Sequence, residues 1–184
     1  MKRHSFTRSV LLVCLLATPA ASQEMMLGVG HADYARQGTD TGILSATYRH
    51  TPFYQGDKLA LSFGAHVSVT GESDVYVAAG LYGRWAWPSG WFVDLSLMPG
   101  LYDAASPGND LGTTLNFRSL LGVGYRFENE RILSVAVSHK SNAGIDTFNP
   151  GVDALLVRYH VPLKHARRTR ARRQKITRPW PKSH

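Results

Sequence analysis

Cysteine is almost missing from this 184-residue sequence, and the single one, Cys14, lies in an apolar stretch near the N-terminus. Residues 1–22 read as a secretory signal peptide. Lys2, Arg3 and Arg8 precede the short apolar run 10–17, and Ala20-Ala21-Ser22 offers small residues for cleavage before Gln23. Val13 is too large for a lipoprotein-type cleavage at Cys14. The chain expected after cleavage therefore has no thiol, which excludes disulfides and a cysteine nucleophile. Long apolar runs and a sustained helical period are lacking as well, so neither membrane helices nor a helical bundle is expected. No histidine stands at ligand spacing from Cys, Asp or Glu, and Gly28-x-Gly30 precedes no helix. Hence no metal and no nucleotide cofactor is expected.

Acidic residues are absent from the segment 164–184, which carries nine Lys and Arg, and the leader carries three more basic residues. The formal net charge of +8 belongs to these two ends, because the segment 23–163 holds nine basic and thirteen acidic residues. A nucleic-acid partner is not implied. The basic segment has no apolar period and reads as a disordered extension, with binding of anionic headgroups as the sharper alternative.

What the segment 23–163 does have is alternation. Stretches of about ten residues with period-two hydrophobicity, separated by Gly, Asp, Asn and Pro, predict strands at about 24–35, 42–52, 58–70, 74–87, 90–101, 113–127, 131–141 and 152–163. In the third, Leu59, Leu61, Phe63, Ala65, Val67 and Val69 share one face, opposite Ala60, Ser62, Gly64, His66 and Ser68. The polar faces are rich in Gly, Ser, Tyr and isolated charges, which suits the filled lumen of a narrow barrel. The expected fold is all-β, an eight-stranded antiparallel transmembrane barrel of the outer-membrane type, in preference to a secreted soluble barrel such as a lipocalin. Arg84, Arg118 and Arg126 are expected to pair in the lumen with acids such as Asp94.

The even strand number puts both termini on the periplasmic side, with short turns near 53–57, 88–90 and 128–130. Trp85, Trp87, Trp91, Tyr125 and Phe127 then form an aromatic girdle beside two of these turns. The two longest connections, about 102–112 and 142–151, lie at the outer end. His31 and His50 are expected near the outer ends of the first two strands, and His66 and His160 have lumen parity.

One stretch carries chemistry. His139 and Ser141 end the seventh strand at the parity of Leu133, Val135 and Val137, and Asp153 opens the eighth at the parity of Leu155, Val157 and Tyr159. All three therefore point to the lipid at the outer edge of the barrel, where a structural residue would be aliphatic or aromatic. Same-face residues two apart are about 6.6–6.8 Å apart along a strand, a gap that leaning side chains can largely close. His139 could take a proton from Ser141 while Asp153 orients the imidazole. The turn between the strands offers the Gly144 backbone N–H and the Asn149 side-chain amide as oxyanion donors. The rival reading is incidental polarity on the rim of a structural or adhesin-like barrel.

The run His139-Lys140-Ser141-Asn142-Ala143-Gly144-Ile145, followed by Asn149-Pro150-Gly151 and Asp153, resembles the lipid A 3-O-deacylase (PagL) family. That resemblance implies an eight-stranded barrel in a Gram-negative outer membrane that hydrolyses the 3-O-linked acyl chain of lipid A in lipopolysaccharide. It implies His139, Ser141 and Asp153 as the triad, Gly144 and Asn149 as oxyanion donors, and neither metal nor cofactor. Lipid A and outer-membrane lipids are the expected partners, and a homodimer is compatible with it. A phospholipase or acyltransferase using the same serine is the alternative enzyme. Two departures stand out. The family pattern carries Glu where this chain has Asp153, and the chain runs on from Leu163 to His184 instead of ending on an aromatic strand residue.

Overall fold

The structure, a computed structural model, describes residues 23–33 and 41–163. The expected signal peptide and basic extension lie outside the described residues. Eight long strands follow one another: β1 (Gln23–Ala32), β2 (Thr41–Arg49), β3 (Leu59–Thr70), β4 (Val75–Ala86), β5 (Trp91–Asp103), β6 (Leu115–Arg126), β7 (Ile132–Ser141) and β8 (Val152–Leu163). Each pairs antiparallel with its sequence neighbours, and β1 pairs with β8 from Gln23↔Leu163 to Ala32↔Ala154, so the sheet closes on itself. Closure leaves no long unpaired edge, which is what a spanning sheet requires. The eight expected strands are all present, with ends moved by up to three residues. A two-residue strand, Tyr54–Gln55, also folds back on β3 within the β2–β3 turn.

Alternation decides which way each side chain points. Leu27, Val29, Leu44, Phe63, Leu81, Leu95, Leu97, Leu121, Val135 and Val157 are all exposed on the outer wall. A soluble protein would not tolerate so continuous an apolar exterior, whereas a bilayer selects it. Trp91 packs edge-on to Tyr125, and Tyr125 to Phe127, with ring centroids 5.1 Å apart in each pair. The girdle is therefore in place at the turn end of the barrel.

Inside, the charges are paired. Asp94, fully buried, accepts hydrogen bonds from Arg84 (Nε, 2.7 Å), Arg158 (Nη2, 3.0 Å) and Tyr82. Glu24, a lumen acid that alternation did not single out, accepts from Arg49 and Arg84, each at 3.2 Å. His160 and Ser134 extend this network, with Ser134 Oγ 2.7 Å from the His160 ring and 3.0 Å from Arg158 Nε. Because the lumen excludes bulk solvent, each of these charges needs its partner. Two expectations fail. Arg118 is buried without an ion pair among the described residues, and Arg126 is exposed where β6 runs out into its turn, beyond the reach of lumen acids. The position of His50 is also corrected. β2 returns to the turn end, so His50 sits beside Gln23 there, 3.2 Å from its side-chain nitrogen.

Candidate active site

At the opposite end, the connections 104–114 and 142–151 fold against each other over the barrel mouth. Leu111 from the first is buried against Tyr76, Met98 and Tyr102 in the upper core. Asn142, at lumen parity just past β7 and with no exposed surface, staples the two loops. Its Nδ2 donates to the carbonyls of Leu111 (2.8 Å) and Phe148 (2.9 Å), its Oδ1 accepts from Gly144 N–H (2.9 Å), and its own N–H donates to Asn149 Oδ1 (3.0 Å). The Ile145 N–H reaches the Asn142 carbonyl at 3.1 Å, with Ala143 and Gly144 both at positive φ (55° and 79°). This is a tight turn of the type I′ kind, whose two positive-φ positions favour glycine, asparagine and aspartate.

The turn hands the chain on to β8 in a definite register, and that register sets the site. His139 lies directly opposite Asp153, and Lys140 opposite Val152. Directly paired residues on one face hold their Cβ atoms about 4.5–5.5 Å apart, within reach of a short carboxylate arm. His139 Nδ1 and Asp153 Oδ1 are accordingly 2.8 Å apart, with side chains about half and two-fifths exposed on the outer wall. The methylene that separates Asp from Glu is not needed here, because the ladder itself brings the carboxylate to the ring.

With Nδ1 engaged, the far edge of the imidazole is set by Gly151. A β-carbon at that position would stand 2.8 Å from His139 Cε1 and 3.4 Å from Nε2. Gly151 also has φ +67°, a conformation that side chains other than glycine's rarely adopt. The Cε1–Nε2 edge of the ring therefore faces Gly151, in the connection between β7 and β8. Ser141 shares the outer face with His139 and is half-buried, and its hydroxyl makes no hydrogen bond among the described residues.

Sequence reasoning and structure thus meet on His139, Asp153 and Ser141 as one outward-facing patch, with no hydrogen bond joining Ser141 to the ring. The two expected oxyanion donors differ from one another. Asn149 is exposed, and its Oδ1 is anchored on the Asn142 N–H, which aims its Nδ2 away from that contact. The Gly144 N–H is already given to Asn142 Oδ1. Asn142 and Gly151 belong to the motif, but the sequence alone assigns them no role. Only the loop-to-loop contacts and the ring contact assign them one. Among the described residues, no group of His, Cys, Asp and Glu could hold a metal ion.

Below the dyad the outer wall is grooved. Leu95, Ser119, Leu121, Val137, His139 and Asp153 line an open furrow that descends from the polar patch over aliphatic surface. An exposed acid–base pair at the head of an apolar trough can act on a polar linkage at the end of a lipid chain.

Comparisons with known proteins bear on the family and the fold. The family model described as "Lipid A 3-O-deacylase (PagL)" matches residues 35–162. The lipid A deacylase PagL of Pseudomonas aeruginosa is 35% identical over 54 residues, which cover 29% of this chain. That aligned stretch spans only 31% of the relative's own length. Among solved structures, the outer membrane enzyme PagL superposes with a TM-score of 0.61 at 19% identity, over 76% of this chain and 99% of that one. Neisserial surface protein A covers the same share of this chain at 11% identity and a TM-score of 0.49. Because the family model takes in most of the described barrel, the chain belongs to the lipid A 3-O-deacylase (PagL) family.

Proposed function

We propose that this protein is an outer-membrane esterase that removes the 3-O-linked acyl chain of lipid A by serine chemistry. The observation that carries the reading is the His139–Asp153 pair, 2.8 Å apart on a wall otherwise made of aliphatic side chains, with Ser141 on the same face of the same strand. A base held by a carboxylate beside a hydroxyl is the arrangement nucleophilic acyl transfer requires. Its place on the lipid-facing wall, at the end with the longer loops, suits a substrate that is itself a lipid of the outer leaflet.

In the reaction, Ser141 Oγ attacks the ester carbonyl as its proton passes to His139 Nε2. Asp153 stabilises the imidazolium through Nδ1. The carbonyl oxygen, now an oxyanion, is received by Asn149 Nδ2 and the Gly144 N–H, which exchanges or shares its bond to Asn142 Oδ1. Collapse breaks the bond to the sugar oxygen, which takes the proton from His139 and leaves as a hydroxyl. Water, deprotonated by His139, then attacks the acyl-serine, and the fatty acid departs with Ser141 restored. Each step uses groups of this chain and water, and the hydrogen-bond donors act where the charge develops.

The test is the mass of lipid A from Gram-negative cells expressing the protein. The expected result is loss of one ester-linked acyl chain with the wild type and none with Ser141→Ala. Equal loss with both proteins refutes the site, and loss of an acyl chain from phospholipid alone would make the enzyme a phospholipase.

A further inference from the structure

Ser119 breaks the pattern of its strand. The outward row of β6 reads Leu115, Phe117, Ser119, Leu121, Val123, Tyr125, so Ser119 is the one aliphatic hydroxyl in a row otherwise apolar or aromatic. It is exposed, and its hydroxyl makes no hydrogen bond among the described residues. Across the ladder it faces Leu97 on one side and His139 on the other, and His139 in turn faces Asp153. Ser119 therefore sits inside the furrow one strand away from the dyad, with Leu95, Leu121 and Val137 around it. A hydroxyl held against hydrocarbon is unfavourable unless a partner meets it, and the described residues supply none. The partner must come from whatever lies in the furrow.

We infer that Ser119 is a specificity-determining residue, whose hydroxyl binds a hydroxyl group carried on the acyl chain a few carbons from the scissile carbonyl. This rests on the esterase reading of the site. Ser141 pairs with Phe117, which makes Ser119 its diagonal neighbour, and diagonal positions are about 7–8 Å apart. The ester carbonyl must lie at Ser141, too far along the wall for Ser119 to touch it as well. Once the reach of both serines is allowed for, the group that meets Ser119 belongs to the first few carbons of the chain. A hydroxyl suits the place because it both donates and accepts, as the serine does. The carbons beyond continue over Leu95 and Leu121.

The experiment compares two glycosyl esters that differ only in a hydroxyl on the third carbon of the acyl chain, using the purified full-length protein in detergent micelles. The wild type is expected to favour the hydroxylated ester in kcat/KM by about three- to tenfold, the worth of one neutral hydrogen bond. Ser119→Ala should bring that ratio close to one, and Ser119→Thr, which restores the hydroxyl, should keep it. A ratio unchanged in Ser119→Ala overturns the assignment, as does a wild type without preference. Abolition of turnover of both esters by Ser119→Ala would place the residue in the chemistry instead and equally overturn it. Wild-type turnover that persists in Ser141→Ala refutes the function reading while leaving the Ser119 ratio to be judged separately. Absence of wild-type turnover overturns both.

Discussion

Gly151→Ala is the most informative single change in this site, because one added carbon strikes the His139 ring and removes no polar group. The new Cβ would lie 2.8 Å from His139 Cε1 and 3.4 Å from Nε2. A carbon–carbon approach of 2.8 Å is well inside contact distance, so the ring must tilt. It is tethered at Nδ1 to Asp153, so tilting either lengthens that bond or displaces Nε2. Displacements of about 1 Å at a catalytic group cost on the order of 10²-fold in rate. A second cost is conformational: φ +67° is left-handed, and an L side chain there is strained by about 1–2 kcal/mol. Gly144→Ala separates the two effects. It has φ +79° but nothing within 4 Å of its added carbon, so it carries the strain without the collision. The assay is ester hydrolysis by each variant beside the midpoint of thermal unfolding. Both variants should show the strain as a lowered midpoint, Gly144→Ala no more than Gly151→Ala, while Gly151→Ala loses about 10²-fold more in kcat/KM than Gly144→Ala. Gly151→Ala activity within about threefold of wild type would refute the claim that Gly151 sets the ring.

Further outcomes follow from the same geometry. Asp153→Asn should lower kcat by about 10²–10⁴-fold with little change in KM, since the ring loses the group that fixes its tautomer and offsets its charge; steady-state kinetics on one ester decides it. Asp153→Glu, whose arm is longer than the 2.8 Å bond requires, should retain more activity than Asp153→Asn, and equal losses would refute an orienting carboxylate. Asn142→Ala strips the Leu111 and Phe148 carbonyls of their donor. At about 1–3 kcal/mol for each buried group left unmet, residues 142–151 should become cleavable by protease while the strands stay intact. Asp94→Asn leaves Arg84 and Arg158 without their shared carboxylate and should destabilise the barrel by about 3–5 kcal/mol, read from unfolding in denaturant.

How much of this was legible in the sequence depends on the kind of fact. Period-two alternation encodes the face a residue occupies, so the outward parity of His139, Ser141 and Asp153 could be read directly. The same holds for the lumen parity of Arg84 and Asp94. Cross-strand partners are another matter, because they depend on how many residues each loop consumes. Hence the expected pairing of Arg118 and Arg126 with acids is not found among the described residues, while Glu24, on which two arginines converge, has no signal of that role in the alternation. The reach of Asp153 is a register fact of the same kind. A one-residue slip between β7 and β8 would have put it on the lumen face, and direct opposition to His139 is what lets the shorter side chain serve. Asn142 looked like an ordinary turn residue because its role lies in a contact with Leu111, thirty-one positions away. Gly151 was visible as a glycine, but its neighbour, the imidazole edge, was not.

The central claim is that Ser141 is the nucleophile and that His139, held by Asp153, activates it. The most direct measurement is peptide mapping after treatment of the purified protein with a lipid-chain phosphonate that reacts with activated serines. The account predicts a single adduct on Ser141 that disappears in His139→Ala. An adduct on Ser119, or labelling of Ser141 that is indifferent to His139, would contradict it.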